Sequence, residues 1–166
     1  MIQNLVHQFL SKSLLQYLVE KSLPQEEKDT LQQTEECLRF LFLSHLTQGS
    51  IPVSQKVDEI WHLLILQTKE YVELCQSLPA KKIIHHSSDI YLNYFALENP
   101  NEKKEESPES QAKRQLEWLV SYVVNFGPLK PENIQYWPFA SGICLKFNLS
   151  LEDLNSQLKN LSSIAF

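Results

Sequence analysis

Residues 57–88 read VDEIWHLLILQTKEYVELCQSLPAKKIIHHSS. Within them Asp58, His62, Tyr71, Cys75, His85 and His86 are the side chains able to do chemistry. Asp58 and His62 stand four apart, so on a helix a carboxylate lies alongside an imidazole. That pair has three readings. Both residues could ligate a metal ion, or Asp58 could orient His62 and hold its tautomer. Equally, the two could form an ordinary helix pair, since Asp in a first turn suits the helix dipole. After Pro79 a turn through Lys81–Lys82 leads to Ile83, Ile84, His85 and His86, a segment that can return beside the helix. Extended backbone points neighbouring side chains to opposite sides, so one of the two histidines faces inward. A carboxylate with two imidazoles suits zinc or ferrous iron. The candidate ligands are therefore Asp58, His62 and His86 (or His85), with an open position for water.

Cys75 belongs to a different face from His62. In a straight helix the two are also separated by roughly 20 Å of rise, which excludes a Cys–His catalytic pair. A reactive thiol needs a nearby cation or a helix start, so Cys75 is read as a small buried hydrophobe. Trp61, Leu64 and Tyr71 form an apolar stripe at helical spacing, which points to the core. A further reading has Trp61, Tyr71 and His62 bounding a metal-free small-molecule pocket. The Tyr71 hydroxyl needs a partner if buried, and Thr68, one turn earlier, is the candidate.

The elements that would position these residues are helices. Ile2, Leu5, Val6, Phe9, Leu10, Leu14, Tyr17 and Leu18 recur at three- and four-residue steps, predicting one helix to about Leu23. Pro24 and the Glu26–Glu27 pair suit the start of a second helix, running to Gln48 with Gly49 as its terminator. Its later half, CLRFLFLSHL, is apolar on almost every side and belongs in the core, with His45 at a buried helix end. A third helix is expected from 52–54 to about 78. A short helix follows around Asp89–Phe95. Residues 98–111 lack any large apolar side chain and read as a solvated, flexible, acidic loop (about 98–109). Ser107–Pro108–Glu109 starts another helix, whose stripe is Leu116, Leu119, Val120, Val123 and Val124, with Trp118 and Tyr122 beside it. It ends at Phe126–Gly127–Pro128. Periodicity leaves 139–147 as strand or buried helix. Ser150 with Asp153 resembles a capping box opening a last helix to about Ser163.

The pattern Val57-Asp58-Glu59-x-Trp61-His62, then Ile65-Leu66-x-Thr68, Tyr71, Cys75 and His85-His86, resembles the glycine-rich domain-containing protein-like family, a domain of unknown function. Bacterial and fungal members are closest in style. The match is tight over about thirty residues, with a looser echo at Tyr122–Trp137. The resemblance implies a helical domain without established chemistry. Many members carry a second histidine two places after the first, where this chain has Leu64. A WHxH chelate is absent here, and residues i and i+2 of a helix point apart in any case. The family's glycine-rich tail has no counterpart among three glycines.

Composition narrows the remaining classes. At 166 residues the chain is one domain in size, with 43% hydrophobic and 21% charged residues, as in soluble globular proteins. A net charge of −5 and two arginines leave no nucleic-acid footprint. No run approaches the ~18 apolar residues of a membrane span. The start is amphipathic and does not read as a secretory signal. Three widely spaced cysteines fit a reducing cytosol, and abundant Lys, Asn and Gln suggest an AT-rich bacterial genome. The expectation is an all-α single compact domain, residues 1–166, of about six helices, cytoplasmic unless exported as an effector. Its leading function is a non-catalytic protein-binding or regulatory module. The alternatives are a metal-binding protein or metal-dependent enzyme using Asp58, His62 and His86, and the metal-free pocket. Nothing in the sequence fixes the ligand, the partner or the oligomeric state.

Overall fold

The computed structural model describes residues 4–46, 51–86 and 107–165. The expected all-α class holds: among these residues there are eight α-helices and one 3₁₀ turn, and no strand. The helices are α1 (Leu5–Phe9), α2 (Lys12–Lys21), α3 (Glu27–Leu43), α4 (Gln55–Leu66), α5 (Thr68–Ser77), α6 (Pro108–Phe126), α7 (Pro138–Phe147) and α8 (Leu151–Ala165), with the 3₁₀ turn at Ile134–Tyr136.

The count exceeds about six because two expected helices are each broken and Pro138–Phe147, left open as strand or helix, is helical. Extended backbone at Leu10 and Ser11 separates α1 from α2, and the Ser11 hydroxyl caps α2 by accepting from Leu14 N at 3.2 Å. The second break falls at Gln67, whose ψ of 68° leaves the helical region. Neither break carries Gly or Pro, so neither is punctuated in the sequence. The predicted helix at 89–95, Gly49 and most of the acidic loop lie outside the described residues. The last loop positions do not remain loop: Ser107 caps α6, accepting from Ser110 N at 3.2 Å, and Pro108 opens the helix. Residues 139–147 resolve as helix, ended by Asn148 at φ 49°. The Ser150–Asp153 capping box forms, with each residue's side chain bonding the other's backbone N–H at 3.0 and 3.1 Å.

Helix α3 is the hub, packing against α1, α2, α4 and α6, while α6 also packs on α8. Its apolar half buries Cys37, Leu38, Phe40, Leu41 and Leu43. It ends at Leu43, earlier than expected, and His45 is exposed, its Nδ1 2.7 Å from the Phe42 carbonyl. The buried face of α6 is Trp118, Leu119, Val120, Tyr122 and Phe126, so the aromatic residues hold the core while Leu116 and Val124 are exposed. Aromatic volume decides which face turns inward, because Trp and Tyr bury more area than Val. None of the described helices is long and apolar enough to cross a membrane.

Candidate metal site

The site is built on α4. Ser54 caps the helix, accepting from Val57 N at 3.3 Å. Val57, Ile60, Trp61 and Leu64 then face the core, leaving Asp58 half-buried and His62 exposed. The Asp58 carboxylate lies between two imidazoles: Oδ2 is 3.2 Å from His62 Nδ1, and Oδ1 is 2.6 Å from His86 Nε2. His62 Nδ1 also lies 2.8 Å from the Asp58 carbonyl oxygen. With only oxygen acceptors around it, His62 Nδ1 is the protonated nitrogen and donates to both. By the same argument His86 Nε2 donates to the carboxylate. The two imidazole rings approach to 4.4 Å between centroids.

One ligand atom from each of Asp58, His62 and His86 falls within 4.8 Å of the others. Ligands held at bonds of ~2.1 Å around a tetrahedral ion lie about 3.4 Å apart. The triad would therefore have to contract by up to about 1.4 Å at its widest for a tetrahedral ion. An ion would take the place of the hydrogens now shared in the cluster, since metal binding displaces protons from its ligands. Three ligands leave a position open to solvent, which the exposed His62 side chain borders.

His86 comes from the segment 79–86, which returns past α4 without regular structure. His86 is partly buried and His85 is exposed, as the alternation of extended backbone requires. Two contacts hold the return. The Trp61 ring stands edge-on to the His86 ring at 4.6 Å, and the Tyr71 hydroxyl donates to the Ile84 carbonyl at 2.6 Å. The same hydroxyl accepts from Trp61 Nε1 at 2.9 Å. Trp61 and Tyr71 would be about 15 Å apart along a straight helix. The change of direction at Gln67 brings them together. Thr68, the expected partner of Tyr71, is exposed and plays no part. Burial pushes the Tyr71 hydroxyl well above the usual phenol range, which keeps it a donor. Cys75 is fully buried.

A cleft of about 400 Å³ opens beside His62, walled by Lys21, Gln25, Gln33, Glu59, Ile60 and Leu63 among others. Trp61 and Tyr71, both buried, are not in its walls.

A second polar cluster escaped the sequence reading. Glu36, 2% exposed, sits in the core between α3, α6 and the 3₁₀ turn. Its carboxylate accepts from the Tyr122 hydroxyl at 2.9 Å, Trp137 Nε1 at 2.9 Å and Arg39 Nη1 at 2.8 Å. Asn133 Nδ2 donates to the Tyr122 oxygen at 3.1 Å, and Arg39 lies over the Tyr122 and Phe126 rings. Burial raises the Glu36 carboxyl to about 6, against the opposing pull of Arg39, Tyr122 and Trp137. Burial pulls the guanidinium down, but Glu36, Tyr122 and Glu35 together outweigh it and hold Arg39 above its usual value. The two shifts pull apart because Arg39 keeps 16% of its side chain exposed and Glu36 only 2%. The signal available in the sequence was a Glu and an Arg three apart at the start of the apolar half of α3, ECLRFLFL.

In comparisons with known proteins, the model of the UCP032817-like family matches residues 2–106, and the chain belongs to that uncharacterised family. The matched range contains Asp58, His62 and His86 and ends before α6. No curated protein and no solved structure matches the chain.

Proposed function

We propose that this member of the UCP032817-like family binds a divalent transition-metal ion through Asp58, His62 and His86. The observation that carries the reading is the convergence of those three ligand atoms within 4.8 Å, from residues 28 positions apart in the chain. A carboxylate and two imidazoles favour zinc or ferrous iron. An open fourth position would let the ion polarise a bound water or a substrate oxygen. All three candidate ligands fall within the VDExWH and HH motifs by which the chain resembles the glycine-rich domain-containing protein-like family, a likeness that carries no established chemistry of its own. The bacterial, cytoplasmic setting remains our expectation from composition.

The test is zinc titration of purified chain stripped with a chelator, beside His62→Ala and His86→Ala variants. We expect one equivalent bound by the parent protein and affinity lowered in each variant by more than the ~10- to 100-fold that loss of an outer partner costs. Equal binding by all three proteins, or none by the parent, overturns the reading.

A second reading, a non-catalytic protein-binding module, draws on the end of α7. There Leu145 and Phe147, two positions apart in the last turn, are 83% and 61% exposed. Exposed apolar surface of this kind marks interaction sites where it becomes contiguous with a partner. Leu145→Asp with Phe147→Asp would abolish capture of a protein partner while leaving metal binding intact.

A further inference from the structure

The metal site is assembled from two unequal parts. Asp58 and His62 are fixed by one helix and one capped first turn, whereas His86 arrives on the irregular segment 79–86. Such a segment has no backbone ladder of its own, so its position depends on side chains that reach it. Residues 81–83 are exposed, and Ile84 is the apolar side chain that packs against the core. Two described hydrogen bonds tie 82–86 to the helices: His86 to Asp58, which an ion would replace, and Tyr71 to the Ile84 carbonyl. Once a metal sits in the site, the second of these is the hydrogen bond left to hold the segment.

We propose that Tyr71 is a positioning residue that sets the metal affinity of the site by tethering the His86 segment at Ile84. Tyr71 touches no ligand atom. It acts by holding the carbonyl two residues before His86, and residues two apart on extended backbone share a side. Its own oxygen is held in turn by Trp61 Nε1, and the Trp61 ring packs against the His86 ring. Tyr71, Trp61 and His86 thus form a closed chain of contacts around the segment. Tyr71 itself is 5% exposed, so its hydroxyl cannot be replaced by bulk water without opening the core. Outer partners that orient metal ligands commonly change affinity by about 10- to 100-fold when removed.

This inference rests on the metal reading, and the experiment separates the two. Tyr71→Phe keeps the ring and deletes only the hydroxyl. Zinc affinity is measured well below the melting temperature of each protein, and hydrogen exchange is followed by peptide in the metal-free state. We expect the variant to bind zinc roughly 10- to 100-fold more weakly. Exchange should quicken in the peptide covering 82–86 and stay unchanged in α3 and α6. Zinc affinity within threefold of the parent overturns the role of Tyr71 while the metal reading stands. Faster exchange spread through α3 and α6 also overturns it, because Tyr71 would then act on the whole fold. No zinc bound by the parent protein overturns both.

Discussion

Two carboxylates in this molecule each gather a set of donors, and they do so under opposite conditions. Glu36 is sealed in the core, its three donors coming from Arg39, Tyr122 and Trp137. Asp58 stands at the edge, 35% exposed, with two imidazoles in place of indole, phenol and guanidinium. The donors at Glu36 are built into rigid helices and a 3₁₀ turn, and every one is aimed at a fixed acceptor. Those at Asp58 can each give up a proton and present a lone pair instead. A full set of permanent donors makes a joint; a set of exchangeable ones is what the proposed metal site would need. The family match sharpens the contrast: it spans all of the Asp58 site but stops short of Tyr122, Asn133 and Trp137.

The contrast predicts that the two sites fail differently. Glu36→Ala takes the carboxylate acceptor from the Tyr122 hydroxyl and the Trp137 indole in the core, and leaves Arg39 with Glu35 as its one remaining carboxylate partner among the described residues. Breaking a buried pair by removing one partner costs about 3–5 kcal/mol. Chemical denaturation should show a loss of that size, with zinc affinity of the folded fraction unchanged. Asp58→Ala should do the reverse, abolishing zinc binding at a smaller stability cost than the Glu36 change, since Asp58 and His62 are 35% and 54% exposed and only His86, at 17%, is largely covered. A Glu36→Ala variant as stable as the parent would erase the distinction.

A milder effect concerns pH. The Glu36 carboxyl is raised from 4.5 to about 6 on folding. The folded state therefore holds its proton more tightly than the unfolded chain. The resulting stabilisation is fully present below pH 4.5 and is lost as pH rises through 6. The shift corresponds to roughly 2 kcal/mol. The stability of the parent relative to Glu36→Gln should accordingly rise by about that amount from pH 7.5 to 4.5, measured by urea unfolding. A difference that is flat across this window would mean that Arg39, Tyr122 and Trp137 fully offset the burial.

The legible parts of the structure were those written in local chemistry. The caps at Ser107 and Ser150, the stop at Gly127 and the all-helical class follow from turn residues and apolar spacing. The proximity of Asp58, His62 and His86 was readable because i,i+4 spacing and the alternation of an extended segment are local rules. What those rules could not show was distance. The Trp61–Tyr71 contact depends on a break at Gln67 that no Gly or Pro announces, and the Glu36 cluster joins residues up to 101 positions apart. His45 was misplaced for a related reason: helix α3 ends before it, where the apolar run continues but the turn does not.

The smallest effect tests whether the metal site inherits its shape from the cap or from the core. Ser54 is the residue that starts α4, and its hydroxyl accepts from Val57 N. Ser54→Ala should cost about 1 kcal/mol of stability, the usual value of an N-cap. It should nonetheless leave zinc affinity within threefold. Val57, Ile60 and Leu64 are buried almost completely, and Ser54 N also bonds the Tyr136 carbonyl at 3.3 Å, so the first turn is anchored without the hydroxyl. Asp58 would then keep its place beside His62. If affinity instead fell tenfold with the same small loss of stability, the cap rather than burial would be setting the register of the ligands. The edge site would then be as finely held as the buried one, and its tolerance of exchange would have to come from the imidazoles alone.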